Sequence, residues 1–215
     1  KVAADASVLA KVKENDSLAG AVFEIYDAKG KVVDTLTTDE DGHAISKLLP
    51  MGKYTGKEIS APKFFLPNTK VFGFEITEHH QVIKATIKDE SKKPDIGIEK
   101  RGNVQAQPGQ NMTYTLSNIR NKSNCALDEF YLEDVLPTDA VRLGTIHTGT
   151  YNEILEYRVT YQTNLTSDYR VLADGLSTQV NNSISCTPAK LGLAANEHIT
   201  AIRFEFGTVQ VGFAN

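Results

Sequence analysis

Apolar side chains along much of this chain return at every second position, a period that an extended strand can use and a helix cannot. Ala21-x-Phe23-x-Ile25, Phe72-x-Phe74-x-Ile76 and Ile83-x-Ala85-x-Ile87 each place three apolar residues on one face. Lys31–Leu36 and Lys53–Glu58 read as further strands. Turn-forming words separate them: Asp27-Ala-Lys-Gly30, the run TTDEDG ending at Gly42, and Glu78-His79-His80. No stretch longer than about a dozen residues keeps an i, i+3, i+4 apolar rhythm, so helices should be few and short. The expected fold class is all-β, built as sandwiches.

Ser91-Lys-Lys-Pro-Asp95 is the expected boundary, polar and carrying a proline that cannot join a sheet interior. It divides the 215 residues into 1–92, Lys-rich with brief strands, and 93–215, richer in Asn, Thr and Tyr. The second part should also have the longer loops, over Ser117–Asp128 and Asp174–Ala195. Each part is large enough to bury its own core. The 23 basic and 27 acidic residues leave a formal charge of −4, which excludes an electrostatic footprint for nucleic acid or anionic lipid. No apolar run is long enough to insert into a membrane. Nothing at Lys1-Val2 reads as a signal peptide, so the expectation is a cytosolic protein or a processed fragment of a longer one.

Three ionisable residues share the parity of core positions. Asp89 continues the face of Ile83, Ala85 and Ile87, Lys11 that of Leu9, and Glu58 that of Tyr54 and Gly56. A buried charge is costly, so each must be paired, be neutral, or emerge at a strand end where charged residues ordinarily reach solvent.

The surrounding words weigh against that last, bland alternative. Leu18-Ala-Gly-Ala-Val-Phe-Glu-Ile-Tyr-Asp27, Thr38–Gly42, Leu49-Pro-Met-Gly-Lys-Tyr54 and Glu58-x-x-Ala61-Pro62 resemble, in order and spacing, the CnaB or SpaA-type prealbumin-like domain. That domain occurs in Gram-positive pilins and surface adhesins, and the resemblance covers about residues 8 to 90. It implies an intramolecular isopeptide bond between Lys11 and Asp89, with Glu58 as the catalytic helper. Lys13 has the same parity as Lys11 and is the register rival. The mid-box position, apolar in the family, is Gly56 here, which implies looser packing around Glu58.

The chemistry requires these residue types. A protonated lysine cannot attack, and an ionised carboxylate is a poor electrophile. Burial favours the neutral form of both. Glu58 would then relay the proton as general acid and base, with water as the leaving molecule.

In the second part, Asp95-Ile-Gly-Ile-Glu-Lys100, Pro108-Gly-Gln-Asn-Met-Thr-Tyr-Thr-Leu116 and Asp134-Val-Leu-Pro137 resemble the opening of bacterial surface Ig-like repeats of CnaA type. The implied fold is therefore two Ig-like or prealbumin-like β-sandwiches in tandem. Ile96, Ile98 and Lys100 share one face, Phe130, Leu132 and Asp134 another, and Val209, Val211, Phe213 and Asn215 a third. The resemblance implies a second crosslink, Lys100 to Asn215, with Asp134 as catalytic helper. Asn118 is the alternative acceptor, and an ordinary Lys100–Asp134 ion pair the alternative to any bond. Cys125 and Cys186 are either a disulfide or two buried thiols; two cysteines make no disulfide framework.

Other signals are discounted. Glu78-His79-His80 has no second ligand cluster in register, so no metal or other cofactor is expected. Leu66-Pro-Asn-Thr69 imitates the start of a sortase sorting signal, but Lys70 stands where glycine is needed. Asn-x-Ser/Thr triplets at Asn15, Asn111, Asn121, Asn164 and Asn181 are glycosylation acceptors in a eukaryotic secreted setting and chance occurrences otherwise. The resemblance implies a non-enzymatic, cell-wall-anchored pilus or adhesin subunit on the surface of a Gram-positive bacterium. Its partners would be other pilus subunits, the cell wall through sortase, and a host matrix protein or glycan. The rival functions are a host-ligand binding module and an accessory domain of a secreted enzyme.

Overall fold

A computed structural model describes residues 2–3, 17–103 and 107–215 of the chain. The chain divides into two compact units, Lys1–Lys92 and Lys93–Asn215.

The first unit contains β1 (Val2–Ala3), β2 (Val22–Asp27), β3 (Val32–Thr37), β4 (Gly52–Ser60), β5 (Phe65–Leu66), β6 (Phe72–Ile76) and β7 (Lys88–Ser91). One sheet runs β3-β2-β4-β6 with every pair antiparallel. The other runs β1-β7-β5, with β1 parallel to β7. Alternation governs the central strands: Ala21, Phe23 and Ile25 are buried, as are Tyr54, Gly56 and Glu58.

Local chemistry fixes the turns. Asp27 Oδ1 accepts the backbone N–H groups of Lys29 and Lys31, both at 2.9 Å, and closes the β2–β3 hairpin around Gly30, whose φ is +76°. Buried Thr38 donates to the Leu18 carbonyl (2.7 Å) and accepts from the Ala21 N–H (2.9 Å), tying the entry to β2 to the exit of β3.

The expected strand over Ile83–Ile87 does not form. Regular pairing begins at Lys88, and Ile83 and Ala85 are exposed. The partners of β7 are only two residues long each, so no ladder among the described residues reaches back to Ile83.

The second unit contains β8 (Ile96–Gly102), β9 (Tyr114–Asn121), β10 (Leu127–Val135), β11 (Thr145–His147), β12 (Glu156–Thr163), β13 (Thr166–Ser177), β14 (Ser183–Ser185) and β15 (Ile199–Val209). A single-turn helix, α1 (Pro188–Leu191), starts on a proline and stops at left-handed Gly192. The main sheet runs β10-β15-β12-β13, flanked by the ribbons β8-β9 and β11-β14. Its core is aromatic: Phe130, Tyr151, Tyr157, Phe206 and Phe213 pack with ring centroids 5.0–6.0 Å apart.

Three expectations are corrected here. Ile96 and Ile98 are not core residues, being 57% and 47% exposed, because among the described residues β8 pairs only with β9. The segment after Val209 is not strand; the chain turns at Gln210–Phe213, so Val209 and Phe213 are buried while Val211 faces solvent. The long loops are also shorter than expected, since β9 extends to Asn121 and β13 to Ser177.

Candidate functional site

Glu58 lies on β4 between two partner strands. Its register mate on β2 is Phe23, and the neighbouring inward position, Gly56, pairs with Ile25 on one side and Phe72 on the other. The missing side chain at 56 does not loosen this region. The Phe72 ring covers the glycine so closely that a Cβ there would sit 2.1 Å from its Cζ. Phe72 in turn stacks on Phe74, and Phe74 on Tyr54. Glu58 is thus 4% exposed beside an aromatic layer.

Asp89, on β7, is 1% exposed. The loop after β5 connects the neighbourhoods of the two acids. Asn68 donates its backbone N–H to Glu58 Oε2 (2.7 Å) and its side-chain amide to the carbonyl of Lys88 (2.7 Å), the residue before Asp89. Both carboxyls singled out by parity are therefore buried; the loop holds the Glu58 carboxyl directly and the backbone of β7 one residue before Asp89. Lys11 and its rival Lys13 lie outside the described residues. Asn68 was not foreseen as part of this site; its only signal was Pro67-Asn68, a dipeptide typical of turns.

Residues 7–91 match the family described as SpaA, a prealbumin-like fold domain. Over that stretch the first unit is similar to the SpaA family, and the match covers less than half of the chain. A 71-residue stretch is 42% identical to the trypsin-resistant surface T6 protein of Streptococcus pyogenes, covering 33% of this chain and 12% of that protein. Among solved structures, the Bacillus anthracis TIE protein is 21% identical with a TM-score of 0.34, over 88% of this chain and 24% of its own. BcpA, the major pilin subunit of Bacillus cereus, is 15% identical with a TM-score of 0.29, over 90% of this chain and 54% of its own. The chain thus spans only a small part of the curated relative it matches.

Beyond the stretch that matches SpaA, the structure brings together two of the three residues expected in the second unit. Lys100 Nζ pairs with an oxygen of Asp134, and the ammonium also lies 5.0 Å from the centre of the Tyr114 ring. The lysine is 39% exposed at its side chain and the aspartate 13%. Asn215 is engaged elsewhere: its Oδ1 accepts from the Ile119 N–H (2.9 Å) and its own N–H donates to the Ile119 carbonyl (3.1 Å). Asn118, with φ of +53°, points its amide to Glu99 Oε1 at 2.6 Å.

Cys125 and Cys186 are separate free thiols, both buried. Cys186 donates to the Ile184 carbonyl, and burial pushes its thiol up to about 11. Asn121, one of the triplet asparagines, is 2% exposed and is no acceptor for a glycan. Its amide donates to the carbonyls of Cys125 and Gln210, each at 3.0 Å, while its Oδ1 accepts from Ser123.

Arginine–glutamate pairs accompany the main sheet. Arg203 is sandwiched between the rings of Tyr131 and Tyr169, at 4.4 and 4.0 Å, and its hydrogen bond holds Glu133 below the usual carboxylate range. Arg170 does the same to Glu197. In the first unit, Asp39, Asp41 and His43 bring ligand atoms within 4.8 Å of one another, but all three are exposed and Asp39 Oδ1 already accepts two backbone N–H groups of its own turn.

Proposed function

We propose that this chain belongs to a structural subunit of a Gram-positive surface pilus or stalked adhesin, with a SpaA domain stapled by an amide between Lys11 and Asp89. The observation that carries the reading is the burial of two carboxyls, Glu58 and Asp89, in one small sandwich. Such burial is costly for ions and favours neutral acids. A neutral Asp89 is an electrophile, and Glu58 is the general acid and base that shuttles the proton. The family match supports this, since it spans the segment that holds Lys11. So does the named surface protein of Streptococcus pyogenes. The reaction happens once per molecule, so the protein is a self-modifying structural element rather than an enzyme. Its partners would be further pilus subunits, joined and anchored by sortase outside this stretch of chain.

The intact mass of the purified chain tests the reading. The expected mass falls short by one water, Glu58→Ala restores it, and peptide mapping finds the link at Lys11; a link at Lys13 would move the register and leave the chemistry. A full unmodified mass for the wild type would refute the bond.

A second bond, Lys100 to Asn215 with Asp134 as helper, is proposed for the other unit. The Lys100–Asp134 contact supports it. Forming it requires Asn215 to leave Ile119. It would add the loss of one ammonia, abolished by Asp134→Ala; with no such loss, Lys100–Asp134 is an ordinary half-exposed ion pair.

A further inference from the structure

The segment Leu66-Pro-Asn-Thr69 plays no part in sorting if Lys70 follows it, yet its asparagine holds a singular position. Asn68 makes three hydrogen bonds from three different atoms. Its backbone N–H donates to Glu58 Oε2 at 2.7 Å. Its Nδ2 donates to the Lys88 carbonyl at 2.7 Å, one residue before Asp89. Its Oδ1 accepts from the Lys70 N–H at 3.0 Å, closing the loop on itself. The half-buried side chain is therefore a strut between the loop and β7, and the strut aims the backbone N–H at the carboxyl of β4.

We propose that Asn68 is a positioning residue for the condensation of the lysine with Asp89: it fixes Glu58 relative to β7 and selects which oxygen of Glu58 handles the proton. The proposal rests on the isopeptide reading above. An N–H donor on Oε2 makes that oxygen the acceptor, so the proton of the neutral carboxyl resides on Oε1. In the reaction, the neutral amine of Lys11 or Lys13 attacks Cγ of Asp89 and the C–N bond forms. Glu58 takes one amine proton and returns one to the departing hydroxyl. The C–O bond breaks and water leaves, with no other reactant needed. A Glu58 carboxyl free to rotate would present either oxygen, and the proton path would be set up only part of the time.

The side chain matters because it, and not the backbone, anchors the loop. Asn68→Ala removes both side-chain bonds. Asn68→Asp keeps the shape and the acceptor for Lys70 but cannot donate to the Lys88 carbonyl. Thr69→Ala, at the exposed next position, leaves the strut intact.

The test follows bond formation from the start. The full chain is made by cell-free synthesis, translation is stopped, and loss of water is followed by intact mass between pH 5 and 9. For Asn68→Ala and Asn68→Asp we expect the rate to fall roughly tenfold, the order expected when one buried hydrogen bond is lost. The pH profile of the rate should also change shape, because the proton of Glu58 is no longer directed to one oxygen. Thr69→Ala should match the wild type. A purely structural role would change the melting temperature without moving the pH profile. Wild-type rate and profile in Asn68→Asp, with circular dichroism unchanged, would overturn the proposal even if Asn68→Ala failed to fold. A wild type that never loses water would instead refute the isopeptide reading, and this proposal with it.

Discussion

Replacing Gly56 by alanine should destabilise the first unit, contrary to the usual gain from putting alanine in place of glycine in a strand. The new Cβ would stand 2.1, 2.5 and 2.7 Å from three atoms of the Phe72 ring. Carbon atoms pack best at about 3.5–4.0 Å, so the ring must move by more than about 1 Å and give up part of its stack on Phe74. Overpacking of this kind costs about 1–3 kcal/mol. Against it stands about 0.5–1 kcal/mol recovered by removing the glycine's backbone freedom. The net effect is a loss of about 1–2 kcal/mol, which in a domain of this size lowers the melting temperature by about 5–15 °C. Calorimetry on the full chain reads the shift, and hydrogen exchange in peptides from β4 and β6 assigns it to this unit. The same geometry predicts strong coupling. Once Phe72→Ala has removed the ring, adding Gly56→Ala should cost nothing further, so the double-mutant cycle should show an interaction of at least about 1 kcal/mol. Equal or raised stability in Gly56→Ala, or an additive cycle, would refute the idea that the Phe72 ring fills the space above the glycine.

Asn121→Ala should cost about 2–4 kcal/mol, since it strips three carbonyl and amide partners from a buried site and leaves them unsatisfied; limited proteolysis should then cut the segment after Val209 first, and an unchanged melting temperature would contradict this. Cys186, raised to about 11, should react with iodoacetamide at pH 8 about a hundredfold more slowly than an ordinary thiol, and comparable labelling rates in the folded protein would contradict its burial. Glu133 and Glu197 are both held below their ordinary range, chiefly by hydrogen bonds from Arg203 and Arg170. Because the folded-state values are the lower ones, the stability they contribute is full above the unfolded value of about 4.3 and is lost as pH falls through the folded values. Melting curves from pH 6 to pH 2.5 should therefore fall below about pH 4, and Arg203→Met with Arg170→Met should flatten that limb.

How well the sequence reads depends on what stands beside each strand. On β2 and β4, each held between two neighbours, alternation names the buried residues correctly, Glu58 included. The same rule misleads at Ile83, Ile96 and Ile98, where the pattern is present but partner strands are short or lie on one side only. Alternation states which residues are able to face a core, not whether a core lies there. Asp89 is buried as its parity demands, although the apolar residues that suggested it, Ile83 and Ala85, are exposed. Asn68 was hidden for a different reason. Two of its bonds join segments ten and twenty residues away, and a turn dipeptide says nothing of where a loop returns. The two cysteines were undecidable in principle, because a bridge depends on a separation that spacing along the chain does not encode.

The tail of the second unit has a mechanical consequence. Residues 213–215 do not merely end near β9 but are hydrogen-bonded along it, through Asn121 with Phe213, the Arg120–Ala214 bridge and Ile119 with Asn215. The opening strand β8 is laddered to β9 as well. A pull applied at residues 96 and 215 therefore enters and leaves largely through one strand. Two side anchors share the load: Asn152 is hydrogen-bonded to Gly212 and Ala214, and the Phe213 ring is seated in the aromatic core. Rupture strength should then follow the bonds that hold β8 and the tail, together with the seating of that one ring, while thermal stability follows the whole core.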